Sequence, residues 1–371
     1  MKRINQIEPW IGKEEKDAVV DYLESGGWLT EFKKTKELEQ MISDYTGSKY
    51  SIMMPNGTIA LTAAILALGI GKGDEVIVPN YTMIASANAV VMAGAKPILV
   101  DIDPANLCLD LSKAKKAFTK KTKAIMLVTI NGRYPDIKKF KSFAKSKNIY
   151  LIEDAAQSLG SMCNGKHLGT FGDVGMLSFS MPKIITMGQG GCLLTDNEEL
   201  HKKILLLKDF GRKSAGVDTH EVMGYNFKFN DLQAVIGIEQ MKKLPWRVER
   251  KKEIFKKYKN LLAKVNGVEF FETNTKDTSP WFIDILVPED KKESLIKFLQ
   301  EKNIGTRPFY PAIHTQNPYK KNKGDYKNSE KISRRGLWLP SSAFLSDEDI
   351  VYVCNNIKEF FHENTLHSSK T

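Results

Sequence analysis

Short apolar runs and helical segments take turns between residues 75 and 154, and that order leaves few folds open. Glu75-Val76-Ile77-Val78-Pro79 reads as a buried strand, 84–93 as a helix and 96–101 as the next strand. A helix at 111–118 precedes a strand at 124–130, and a helix at 137–146 precedes a strand at 149–154. Such repetition predicts an α/β fold, a mostly parallel sheet with helices on both faces. Ligands in that architecture gather at the carboxyl ends of the strands. Further strands are expected at 174–177 and 192–195, and helices at 13–24, 37–45 and 59–69.

The length of 371 residues allows a full core and suggests one large and one smaller domain, divided at 1–245 and 246–371. No apolar run approaches the ~20 residues of a membrane helix, and the opening residues are not followed by a signal-peptide core, so a cytoplasmic location is the default. Cys108, Cys163, Cys192 and Cys354 form no C-x-x-C pair, and the six histidines lack ligand spacing, so no metal site is expected. The net charge of +11 comes from lysines spread along amphipathic helices. With no nucleic-acid-binding motif present, it points to a solvated surface biased toward anionic small molecules.

Three groups fall on one rim of the expected sheet. Tyr81, Thr82 and Met83 follow the strand ending at Pro79, Asp154 and Gln157 follow the strand ending at Glu153, and Ser178, Ser180 and Lys183 follow 174–177. Lys183 sits between Pro182 and the glycines Gly188, Gly190 and Gly191, with apolar Phe179, Met181, Ile184 and Ile185 around it. An amine that attacks an aldehyde must be partly uncharged near neutral pH, and burial among such side chains lowers its pKa. Asn56 is a good helix cap, and Gly57 and Thr58 then offer free N–H groups and a hydroxyl of the kind that bind phosphate. A Schiff-base lysine, a carboxylate and a phosphate cup are what pyridoxal 5′-phosphate (PLP) requires.

Asn56-Gly57-Thr58, Glu153-Asp154-Ala155-Ala156-Gln157, Gly172-Asp173-Val174-Gly175, the stretch from Ser178 to Gly191 and Gly224-Tyr225-Asn226 together resemble the DegT/StrS family. These are PLP-dependent sugar aminotransferases of the aspartate-aminotransferase fold, fold-type I, and the resemblance covers nearly the whole chain. It implies that Lys183 bonds the cofactor, that Asp154 pairs with its ring nitrogen and that Gln157 approaches its hydroxyl side. It also implies that Gly57, Thr58 and Ser178 hold the phosphate, and that Asn226 reaches the phosphate of a neighbouring subunit in a homodimer with shared sites. A dehydratase branch carries histidine where this chain has Lys183, which favours amino transfer. The chain departs from the family pattern at Met187, Gln189 and 30–34, and at Met83, where an aromatic usually covers the ring. Either the Met83 thioether takes that place or Tyr81 turns in.

Beyond residue 245 a helix at 255–265, a strand at 281–287 and a helix at 291–302 predict a small α+β domain, and the polar tail 364–371 is expected to be disordered. The segments 303–311 and 333–341 resemble the perosamine-synthase branch, which aminates carbon 4 of a nucleotide-linked 4-keto-6-deoxyhexose with L-glutamate as donor. Arg307 and His314 are the candidates for the sugar-nucleotide side, and Trp28, on the flexible turn at 25–30, is a further candidate for substrate contact. UDP- or dTDP-linked sugars, a C3 ketone, an eight-carbon keto-deoxy acid and a non-catalytic regulator on the same fold stay open as alternatives.

Overall fold

The computed structural model describes residues 3–214 and 216–368. The chain opens with α1 (Lys13–Glu24) and α2 (Lys33–Thr46), followed by β1 (Tyr50–Met54), α3 (Gly57–Ala67), β2 (Glu75–Pro79), α4 (Ala85–Met92) and β3 (Lys96–Val100). Next come α5 (Leu111–Ala117), β4 (Thr122–Val128), α6 (Ile137–Lys147) and β5 (Tyr150–Asp154). A hairpin of β6 (Met162–Cys163) and β7 (Lys166–His167) leads to β8 (Val174–Ser178), β9 (Gly191–Thr195), α7 (Glu198–Lys208) and α8 (Asp231–Leu262). The remainder holds β10 (Glu269–Phe270), β11 (Ile283–Leu286), α9 (Glu289–Glu301), β12 (Arg307–Pro308), α10 (Lys327–Arg335), β13 (Gly336–Leu339) and α11 (Asp347–Ser368).

Seven strands form one sheet in the order β1-β9-β8-β5-β4-β2-β3. Strands β3, β2, β4, β5 and β8 pair in parallel, while β9 runs antiparallel to both of its neighbours. β2 is buried along its whole length, as the apolar run at 76–79 requires of a strand covered on both faces. α6 instead buries Ile137, Phe140, Phe143 and Ala144 along one stripe and turns its lysines to water. β4 ends at Val128 rather than Ile130, because Ile130–Gly132 winds into a 3₁₀ turn with Asn131 at a left-handed φ of 54°. That turn places Asn131 beside the site described below.

The second sheet is antiparallel, in the order β10-β11-β13-β12. Its core joins Ile283, Ile285 and Leu337 to Leu295 and Leu299 of α9 and to Ile350, Val353 and Ile357 of α11. α8 serves both halves: Ala234, Ile238 and Leu244 pack in the first core, whereas Ile254, Phe255 and Tyr258 pack in the second. The expected division at 245/246 falls inside this one helix, which runs through Pro245, and we propose that α8 is the element the two domains share. The opening arm is tied to the smaller half, since Ile4 bridges Ile304 and its carbonyl accepts from Gly305 N at 2.7 Å. α11 reaches Ser368 and so takes in part of the tail expected to be disordered, while 369–371 lie outside the described residues. Among the described residues no helix is long and apolar enough to cross a membrane.

Candidate active site

A cavity of about 490 Å³ opens at the carboxyl ends of the parallel strands. Asn56, Gly57, Thr58, Met83, Asp154, Gln157, Ser178 and Lys183 all line it. Each arrives from a strand end or the turn after it: 56–58 follow β1, Met83 follows β2, Asp154 ends β5, and Ser178 ends β8. The alternation of strands and helices thus brings together residues more than 100 positions apart.

Lys183 is partly buried in the cavity wall, and its loop is held by backbone and side-chain bonds rather than by glycine stiffness alone. Lys183 N donates to Ser180 O at 3.0 Å, and Met187 N donates to Phe179 O at 3.0 Å. α8 clamps the loop from outside: Gln233 Nε2 donates to Met187 O and Gln189 O, both at 3.0 Å, and Arg247 Nη1 donates to Ile184 O at 3.1 Å. Gln240 Oε1 accepts from Thr186 N at 3.2 Å. Phe179, Ile184 and Ile185 are buried as expected, but Met181 is about half exposed and contributes little to desolvation. Burial pulls the Lys183 ammonium down to about 8, with Asp154 opposing and the Arg307 guanidinium adding to the fall. An uncharged amine is therefore well populated at mildly alkaline pH.

Asp154 is buried at the end of β5. Its Oδ2 accepts from Ser86 Oγ at 2.6 Å and its Oδ1 from Ala156 N at 3.2 Å. Burial pushes its carboxyl above the usual range, while Ser86, Ala156 and Lys183 pull the other way. Ser86 Oγ in turn lies 3.1 Å from Thr82 Oγ1, in the turn that precedes α4. Gln157 is fixed by its carbonyl oxygen, which accepts from Asn131 N at 2.9 Å.

Across the cavity, Asn56 Oδ1 accepts from Ile59 N at 2.9 Å and starts α3, so the first N–H groups of that helix face the cavity with the Thr58 and Ser178 hydroxyls. Gly191 makes this turn possible: a Cβ there would meet Asn56 O at 2.5 Å. A helix start of this kind attracts a phosphate.

Of the remaining predicted residues, one reaches the cavity and the others stand elsewhere. Met83 reaches the cavity, whereas Tyr81 is buried against Phe309 and Tyr310 and does not turn in. His314 is away from the cavity with both ring nitrogens engaged, Nδ1 with Asn80 Nδ2 at 2.8 Å and Nε2 with Glu330 Oε1 at 3.1 Å, which makes it a brace between the halves. Trp28 is 65% exposed and lies over Phe32. Asn226 is exposed on a bridge to Asp209, outside this chain's own cavity. Arg307 projects from β12 with its guanidinium 5.6 Å from the rings of Tyr310 and Trp338. Ser86, Asn131 and the α8 clamp were not singled out in the sequence. The seven-residue spacing of Gln233, Gln240 and Arg247, three polar residues on one helix face, is the signal that could have exposed the last.

The donor set fits PLP: one partly buried lysine of lowered pKa, one buried carboxylate, and a helix start flanked by hydroxyls, all on one cavity. With the seven-stranded sheet and smaller second domain, it defines a fold-type I PLP-dependent aminotransferase. Residues 9–358 match the model of the DegT/DnrJ/EryC1/StrS aminotransferase family, and the chain belongs to that family. It is 35% identical over 366 residues to GDP-perosamine synthase of Escherichia coli O157:H7, covering 98% of this chain and 100% of that one. To GDP-perosamine synthase of Vibrio cholerae it is 33% identical, covering 96% and 98%. A putative sugar aminotransferase, Spr1654 from Streptococcus pneumoniae, solved in its PMP form, superposes with a TM-score of 0.93 over 100% of both chains at 27% identity.

Proposed function

We propose that this enzyme moves the amino group of L-glutamate to carbon 4 of a nucleotide-linked 4-keto-6-deoxyhexose, with a GDP sugar the leading substrate, as a step toward a cell-surface glycan such as an O-antigen. The observation that carries this reading is the end-to-end likeness to two GDP-perosamine synthases, joined to a lysine at position 183 on the cavity.

When bound, PLP supplies a carbon that accepts the amino group and a ring that takes up the electron pair left by a departing proton. Lys183 Nζ would take that proton and return it, and its lowered pKa suits a base working near neutrality. Asp154, oriented by Ser86 and Ala156, would hold a negative charge to balance a positive one on the ring nitrogen. The N–H groups at the start of α3 and the Thr58 and Ser178 hydroxyls receive the phosphate, and Met83 covers one face of the site. Arg307, near enough to depress Lys183, supplies a guanidinium for the carboxylate of glutamate or the diphosphate of the sugar.

A homodimer completes the site in this reading. Asn226 stands with Val222, Met223 and Tyr225 on an outward segment, and Met223 is 80% exposed, an unusual face for a lone protein. The exposed Trp28, Leu29 and Phe32 are placed to meet a neighbouring subunit or its substrate. The enzyme would act in the cytoplasm, where nucleotide sugars and glutamate are available to it.

The test is incubation of purified protein with GDP-4-keto-6-deoxymannose and L-glutamate, following 2-oxoglutarate and the amino sugar by mass spectrometry. Equal yields of both are expected. Turnover of a UDP- or dTDP-sugar, a C3 ketone or an eight-carbon keto-deoxy acid in place of the GDP sugar would reassign the substrate.

A further inference from the structure

Residues 281–284, where the chain enters β11 of the smaller half, make contact with the site from behind. The ring of Trp281, only 2% exposed, lies 4.0 Å from Lys183 Nζ, and its Nε1–H donates to Pro182 O at 2.7 Å. Its other neighbours are Phe282, stacked at 3.8 Å, and Trp338 at 6.2 Å. Phe282 grips Asn131 in both directions: Phe282 N donates to Asn131 Oδ1 at 2.7 Å, and Asn131 Nδ2 donates to Phe282 O at 2.8 Å. Asn131 is the residue that fixes Gln157. Asp284 closes the set through a buried pair with Arg133, at 2.5 and 3.3 Å. One tetrapeptide therefore reaches Lys183 directly and Gln157 through a single intermediary.

The face of an indole carries a negative quadrupole, which attracts an ammonium and does little for a neutral amine. Above Lys183 it works against the burial that strips the amine of its charge. The bond from Nε1–H to Pro182 O also ties the ring to the residue next to the lysine, so ring and amine keep one mutual position.

We propose that Trp281 is a positioning residue, whose indole face holds the Lys183 amine whenever it is free and so links the lysine's place and basicity to the seating of the small domain. This does not depend on which sugar is aminated, so it stands or falls separately from the substrate.

The experiment uses PLP-free full-length protein, labelled competitively with acetic anhydride across a pH series, with the Lys183 peptide quantified by mass spectrometry. Trp281→Leu removes the ring face, and the apparent pKa of Lys183 is expected to fall by about one pH unit relative to the parent. Trp281→Phe keeps a weaker face and is expected to shift it down by a few tenths. A second reading is the rate of PLP capture at a pH where the amine is wholly neutral, expected to drop about tenfold in Trp281→Leu as the amine loses its fixed position. Labelling curves that coincide with the parent, or move upward because the ring merely kept water out, would overturn the proposal. Should circular dichroism show Trp281→Leu to be unfolded, the direction of the Trp281→Phe shift decides by the same rule.

Discussion

Two lysines of lowered pKa invite comparison. Lys183 is pulled down to about 8 at the rim of the large sheet, and Lys251 to about 7 at the junction of α8 with the small domain. Burial is the leading cause for both. Yet Lys251 is bonded to Ser341 O and adjoins no carboxylate that shifts it, whereas Lys183 opens on a cavity shared with Asp154 and a helix start. A depressed lysine pKa therefore measures enclosure, and chemistry begins where enclosure meets a cavity with a matching acid and an anion seat. The more strongly shifted of the two lies outside that cavity.

Substitution at each lysine is the most direct way to break that contrast. Lys183→Ala is expected to cost at least about 10³-fold in kcat and to abolish the yellow cofactor-bound protein, read by absorbance. Asp154→Asn, which leaves the shape but removes the charge, is expected to lower kcat by about 10²-fold and weaken PLP retention, measured by equilibrium dialysis. Ser86→Ala removes the shorter bond to Asp154, so the carboxyl moves further up and the acid limb of the kcat/KM profile moves to higher pH, with about a tenfold loss at neutrality. Lys251→Met should change kcat less than about twofold.

Stability gives a finer test of the same contrast. A lysine whose pKa falls from 10.5 to about 7 on folding means that the unfolded chain binds the extra proton between those values. Stability must then rise with pH across that window, by up to about 1.4 kcal/mol per pH unit for one proton. Lys251→Met is expected to flatten the rise from pH 7 upward in urea titrations of the PLP-free protein. The Lys183 contribution, starting nearer pH 8, should remain. Were the slope unchanged in Lys251→Met, Lys251 would be charged in the folded state.

Periodicity in the sequence was a sound guide where an element's burial is decided locally. The strand at Glu75–Pro79 and the helix at Lys13–Glu24 stand where the pattern puts them, and the other expected elements of the large sheet differ mainly at their ends, whereas β1, the β6–β7 hairpin and α7 were not anticipated. The cavity lining was also legible, because strand ends of a parallel sheet must share a rim. What escaped was contact across long separations. α8 begins at Asp231, well before the helix expected at 255–265, because its N-terminal half is wedged between the lysine loop and α1 and α2 rather than amphipathic toward water. His314 and Arg307 look alike as polar residues beside aromatics. Only packing shows that Asn80 and Glu330 already occupy the histidine, while the arginine lies over two rings close to Lys183.

By itself the chain's order of residues determined the sheet, the rim and the lysine–aspartate pair, since alternation of strands and helices is a local property and its geometric consequence is nearly unique. The tertiary structure alone decided how those groups are tuned: the serine that grips Asp154, the asparagine that turns Gln157 and the indole laid over Lys183. Desolvation and bond direction depend on atoms brought together from distant parts of the chain, and no spacing within a motif records them.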